Sequence, residues 1–134
     1  MTVRKQEIMA LRSVIDVSAA RQKVRSWATE LRFSIVDQTK IVTAASELAR
    51  NTLIYGKGGT MRLEALESNA KRGLRLIFED QGPGIPDISQ ALQDGFTTGG
   101  GLGMGLGGSK RLVSEFEIDS KPGEGTRIAV TKWC

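Results

Sequence analysis

The sequence predicts an α+β fold: a two-layer sandwich whose mixed, mostly antiparallel sheet carries helices on one face. Two observations lead there. Two stretches with helical apolar spacing, 16–31 and 34–54, come first. Two pairs of stretches with alternating apolar and polar residues follow, and each pair is joined by a short segment rich in turn residues. Strands joined in that way pair antiparallel, and the helices can cover one face of the sheet they form. With 134 residues the chain is expected to be a single domain, 1–134, with its own core.

The elements follow in order. Ile8 to Ile15 mixes β-branched and polar residues and reads as an edge strand. Asp16 or Ser18 is expected to cap a helix reaching Leu31, with Ala19, Val24, Trp27, Ala28 and Leu31 as its apolar stripe. Ser34 opens a second helix, with Asp37 three residues on in capping-box spacing, and this helix runs to about Ile54. Ile41, Ala45, Leu48 and Thr52 face one way, with Val42, Ala49 and Leu53 beside them. So wide an arc predicts a central, largely buried helix. Gly56, Gly58 and Gly59 stop it. Met61, Leu63 and Ala65 alternate with Arg62 and Glu64, then Leu74, Leu76 and Phe78 alternate with Arg75 and Ile77, around a turn at Asn69 to Gly73. Asp80 to Pro86 is a turn cluster, Ile88 to Leu92 one short helix, and Gly95 to Gly108 a glycine loop. Lys110 to Phe116 reads as a further helix. Glu117 to Ser120 and Thr126 to Lys132 flank the turn Lys121-Pro122-Gly123-Glu124-Gly125 as a last hairpin.

Composition excludes several chemistries. There is no His, so His catalysis, a His metal site and a phosphorylated His of the chain's own are ruled out. The one Cys, Cys134, allows neither an internal disulfide nor a zinc ligand set. Aromatics are 5% of residues, which argues against a base-stacking nucleic-acid platform. No apolar run approaches membrane-span length and the N-terminus lacks a leader pattern, so a cytoplasmic location is expected. The net charge is +4, and the whole excess falls in the first quarter: seven basic and three acidic residues up to Arg32, twelve of each beyond it. That helix is a solvated face or a docking face for an acidic protein partner, and no DNA-recognition motif accompanies it.

Three patterns point to chemistry. Thr43, Glu47 and Asn51 are spaced i, i+4, i+8, so a polar stripe interrupts the central helix. Glu47 could act as a general base and Asn51 as an oxygen ligand for Mg²⁺, or both could sit at the solvent edge with Glu47 paired to Arg50. Asp80-Gln81-Gly82-Pro83-Gly84 follows a strand. The glycines allow close backbone approach, and the carboxylate can accept a proton from an exocyclic amine. The alternative is a tight surface turn. The stretch from Thr97 to Gly108 alternates glycines with Leu102, Met104 and Leu106 before a helical segment. Bare backbone amides there can wrap phosphate oxygens, the aliphatics can tether a lid, and Lys110 and Arg111 could add charge. No G-K-[ST] follows, so this is not a P-loop, and no strand–helix alternation supports a dinucleotide fold.

In order, the runs E-L-A-R-N, D-Q-G-P-G-I, G-L-G-M-G-L and G-T-R-I-A-V resemble the successive boxes of the gyrase/Hsp90/histidine-kinase/MutL ATPase superfamily. The resemblance implies the Bergerat ATP-binding sandwich. The chain has no transducer domain and no helix bearing a phosphorylatable His, which argues against topoisomerase, chaperone, mismatch-repair and complete histidine-kinase roles. Its first box begins with Glu47, as in the anti-sigma-factor serine kinases. The runs T-E-L-R-F, V-D-Q, Y-G-K-G, D-G-F-T-T-G-G-G and K-R-L-V-S-E-F extend the likeness to the stressosome switch kinases over roughly Val14 to Trp133.

The likeness implies a protein serine/threonine kinase that uses ATP and Mg²⁺, phosphorylates STAS-domain proteins, and on release binds and activates a PP2C-type phosphatase. It makes Glu47 the catalytic base and Asn51 the Mg²⁺ ligand. Asp80, Gly82 and Gly84 would form the adenine pocket, with Thr126 near the base. Thr98, Gly101, Gly103, Gly105 and Leu106 would form the phosphate lid. Ile54 fills a slot where many histidine kinases carry Lys, which leaves open whether Lys57 reaches phosphate. Two other readings share these boxes: an anti-sigma factor with serine kinase activity, and a nucleotide-sensing binding module with little turnover.

Overall fold

A computed structural model describes residues 1–85, 88, 92 and 105–134. Strand β1 (Thr2–Leu11) leads into helix α1 (Val14–Glu30) and helix α2 (Ile35–Ile54). Strands β2 (Gly59–Ser68) and β3 (Lys71–Asp80) follow. Helix α3 (Gly105–Arg111) then precedes β4 (Glu115–Lys121) and β5 (Gly125–Trp133). The sheet order is β1-β2-β3-β5-β4 and all its pairings are antiparallel. The expected sandwich is present, and among the described residues every strand pairing is antiparallel.

The first strand is shifted from the expected 8–15. Ser13 caps α1, its Oγ accepting from the Asp16 amide at 3.4 Å, and Asp16 Oδ2 accepts from the Arg12 amide at 2.8 Å. Ser13 therefore replaces Asp16 and Ser18 as the cap and takes Val14 and Ile15 into the first helical turn, where both are exposed. β1 instead gains its length at the other end, pairing with β2 from Thr2↔Glu67 to Leu11↔Gly59. The second helix matches expectation. Ser34 Oγ accepts from the Asp37 amide at 3.1 Å, and the helix ends at Ile54. Ala44, Ala45, Leu48 and Ala49 are buried along it.

The helix expected from Lys110 to Phe116 lies earlier. α3 takes in Gly107 and Gly108, both buried, and sets Leu106 and Ser109 inward. From Glu115 onward the exposed acids Glu115, Glu117 and Asp119 alternate with the half-buried Phe116 and Ile118, and that period of two selects a strand. The expected glycine loop and short helix fall mostly outside the described residues. The Leu92 amide donates to the Ile88 carbonyl at 3.0 Å.

The core lies between the sheet and α1 and α2. Val24, Trp27, Ile41 and Leu48 meet Leu11, Met61, Leu63, Leu74, Leu76, Phe78 and Val130. Within α1, Val17 and Ala20 are buried while Ala19 and Leu31 are half-buried, a stripe rotated slightly from the expected one. The basic excess of the first quarter is partly spent internally. Lys5 bonds Glu30 and lies 4.3 Å over the Trp27 ring, Lys23 pairs with Glu7, and Arg4 pairs with Glu67. On the face away from the helices, Glu64 is buried and bonded to Arg75. Among the described residues, no helix is long and apolar enough to cross a membrane.

Candidate active site

Among the described residues, Glu47 and Asn51 lie on the last half of α2, and Asp80, Gly82, Gly84 and Thr126 lie at one end of the sheet. Helical spacing puts Thr43, Glu47 and Asn51 on one face of α2. Glu47 is 9% exposed, and its Oε1 accepts from the Arg50 guanidinium at 2.9 Å. The pairing with Arg50 and the near-complete burial therefore coexist. Glu47 Oε2 has no hydrogen-bond partner among the described residues. One turn on, Asn51 is half-buried. Its main-chain oxygen accepts from the Tyr55 and Gly56 amides, while its side-chain amide has no hydrogen bond among the described residues.

The end of α2 brings the helix layer onto Asp80. The chain turns through Lys57 and Gly58, at φ 61° and 94°, into β2. Gly56 is buried and packs directly on the Asp80 carboxyl group, so closely that a Cβ would overlap Asp80 Cγ. Gly82 packs in turn on Gly56, where a Cβ would lie 2.8 Å from the Gly56 Cα. Asp80 Oδ1 accepts from the Gly82 amide at 2.9 Å. The two glycines thus let three backbone segments close around a half-buried carboxylate.

Asp80 and Thr126 face each other across the β3–β5 ladder, and Thr126 faces Ser120 across β5–β4. Strand alternation places Asp80 with Phe78, and Thr126 with Ile128, on the helix-covered side. Thr126 Oγ1 lies 2.7 Å from Ser120 Oγ, and Ser120 Oγ accepts from the Ile85 amide at 2.8 Å. Gly84 adopts φ +78° against the Lys121 main chain, so the loop after Asp80 is pinned to the last hairpin from two sides.

Gly105 and Leu106 open α3, and Leu106 is buried in the core cluster. Thr98, Gly101 and Gly103 lie outside the described residues. Lys57 and Lys110 are exposed. Three residues of this arrangement escaped the sequence reading. Arg50 appeared there only as the rival partner of Glu47. Gly56 was legible as a helix stop but not as a contact of Asp80. Ser120 carried a signal in its symmetric position with Thr126 about the Lys121–Gly125 turn.

The arrangement suits a nucleotide. A carboxylate held rigid at a strand end can accept from an amino group, and the polar face of α2 leads away from it. Mg²⁺ commonly takes one or two protein oxygens and completes its shell with phosphates and water, and the Asn51 amide oxygen fits that role.

The chain is similar to known proteins over most of its length. The family described as histidine kinase-, DNA gyrase B-, and HSP90-like ATPase matches residues 36–133. The serine/threonine-protein kinase RsbT of Bacillus subtilis is 53% identical over 118 residues, covering 88% of this chain and 89% of that protein. An anti-sigma F factor of Thermoanaerobacter is 36% identical over 122 residues, 87% of this chain and 84% of that protein. The crystal structure of the RsbU and RsbW domains of a Mycobacterium tuberculosis protein shares the fold, with a TM-score of 0.62 at 20% identity. That match covers 96% of this chain, which spans about a third (32%) of the longer one.

Proposed function

The chain belongs to the histidine kinase-, DNA gyrase B- and HSP90-like ATPases, within them to the RsbT-type serine/threonine kinases, and we propose that it phosphorylates a Ser or Thr hydroxyl on a STAS-domain partner and, once released, binds and activates a PP2C-type phosphatase. One observation carries the catalytic part. Glu47 is a nearly buried carboxylate one helical turn from Asn51, on a helix whose end touches Asp80 through Gly56.

In this reading each residue has a task. Asp80, with Gly82, Gly84 and Thr126 around it, receives the amino edge of adenine. Asn51 supplies a side-chain oxygen to Mg²⁺. That ion, when bound, offsets phosphate charge. By likeness to the family, the stretch that holds Thr98, Gly101, Gly103, Gly105 and Leu106 would contact the phosphates. Arg50 holds one oxygen of Glu47 and so orients the other to accept the proton of the partner's hydroxyl as the phosphoryl group moves in line. Release from the phosphorylated partner frees the kinase for the phosphatase, which makes it an enzyme and a switch.

The test is phosphotransfer. The chain is mixed with ATP, Mg²⁺ and the STAS-domain proteins of the same cell, and intact mass is read. One added phosphate on a partner, absent with Glu47→Ala, is the expected result. Free phosphate with no modified protein would contradict the kinase assignment to these partners. Bound nucleotide with neither product would favour a binding module.

A further inference from the structure

We propose that Ser120 sets which purine the site accepts, by fixing the direction of the Thr126 hydroxyl. The inference rests on the nucleotide reading above.

Ser120 Oγ has three polar neighbours. It accepts from the Ile85 amide at 2.8 Å, lies 3.2 Å from the Gly125 carbonyl oxygen, and lies 2.7 Å from Thr126 Oγ1. A hydroxyl has one proton and two lone pairs, and a carbonyl oxygen can only accept. If Ser120 donates to Gly125, its lone pairs take the Ile85 amide and the Thr126 hydroxyl, and all three contacts become hydrogen bonds. If Ser120 donates to Thr126 instead, the Gly125 contact holds no hydrogen and only two bonds form. The first arrangement therefore prevails, and Thr126 commits its proton to Ser120.

With that proton committed, Thr126 Oγ1 meets a ligand as an acceptor only. Asp80 stands directly across the ladder, and a carboxylate is likewise acceptor-only. Facing residues of an antiparallel pair have Cβ atoms about 4.5–5.5 Å apart, so one ligand edge can span both groups. An exocyclic amine carries two hydrogens and can serve two acceptors. A carbonyl in the same place would turn its lone pairs against theirs and leave them unpaired, which is unfavourable. Ser120 touches no ligand in this account. It is a positioning residue that tilts the site towards 6-amino over 6-oxo purine nucleotides.

Dissociation constants for ADP and IDP, with Mg²⁺ present, test this in the wild type, Ser120→Ala and Ser120→Thr. The wild type is expected to prefer ADP. Ser120→Ala frees the Thr126 hydroxyl to rotate and donate, so the preference narrows by about tenfold, the worth of one hydrogen bond. Ser120→Thr keeps the hydroxyl and the preference. Ser120→Cys, close in size and a weak hydrogen-bonding group, should narrow it as well and stands in if the Ala variant fails to fold. Thr126→Val should also narrow it, and adding Ser120→Ala to that variant should change the ratio no further. Equal weakening of both nucleotides by Ser120→Ala would mean that Ser120 only anchors the Ile85 loop, and would overturn the proposal. Failure of the wild type to bind either nucleotide would overturn the nucleotide reading itself, a result distinct from an unchanged ratio.

Discussion

Gly56 lies directly against the carboxyl group of Asp80, so closely that no side chain fits between them. The contact joins the last turn of α2 to the end of β3, and so ties the helix carrying Glu47 and Asn51 to the carboxylate assigned to the nucleotide base. Gly56 φ is not in the left-handed region, so an Ala there is allowed by the backbone and acts only through what its methyl displaces. The added methyl would meet Asp80 Cβ as well as its carboxyl group, so Gly56→Ala is expected both to lower the melting midpoint and to weaken ADP binding by more than about tenfold, the worth of one displaced charged hydrogen bond. Titration calorimetry beside a melting curve checks both halves.

The β2–β3 turn offers a stabilising change. Asn69 and Ala70 both have positive φ, 49° and 69°. Asn tolerates that region and Ala does so at a cost of roughly 1 kcal/mol. Part of the gain from Gly is offset by its greater freedom in the unfolded chain. Ala70→Gly is expected to raise the melting midpoint by about 2 °C.

Glu64 is 6% exposed and its partner is Arg75. Removing only the cation strands a buried carboxylate, so Arg75→Met should destabilise by about 3 kcal/mol. The double variant Glu64→Leu/Arg75→Met should recover most of that loss, as read by urea unfolding.

Partner docking is expected to depend on part of α1. Lys23 is engaged with Glu7, whereas Arg21 and Arg25 are exposed and have no ion-pair partner among the described residues. Charge reversal at Arg21 and Arg25 should weaken binding of an acidic partner, and more so at low salt. Unchanged affinity would return this face to plain solvation.

Much of this architecture was legible in the residues. Ser34, Asp37 and the wide apolar arc defined α2, because capping and periodicity agree there. Alternation in Met61 to Ala65 and Leu74 to Phe78 set the central hairpin, because one face is buried and the register cannot slip. β1 was misplaced because its residues are mostly exposed and lack alternation, so pairing with β2 decides its extent. α3 was misplaced because Gly107 and Gly108 read as loop, whereas burial admits them to a helix. Asp80 and Gly82 were visible as a unit. Gly56 was not, since it acts through Asp80 and only the assembled fold brings the two together, whereas Ser120 left a weak signal in its position opposite Thr126 across the last turn.

The most direct test of the central claim separates binding from chemistry at Glu47. Glu47→Gln keeps the size of the side chain and one oxygen that can accept from Arg50, but removes the base. The account predicts that this variant binds ATP with Mg²⁺ within about threefold of the wild type, while single-turnover transfer to the proposed STAS-domain partner falls by about 10²–10⁴. Transfer at the wild-type rate would contradict it, because the proton of the acceptor hydroxyl would then leave by a route that does not involve Glu47.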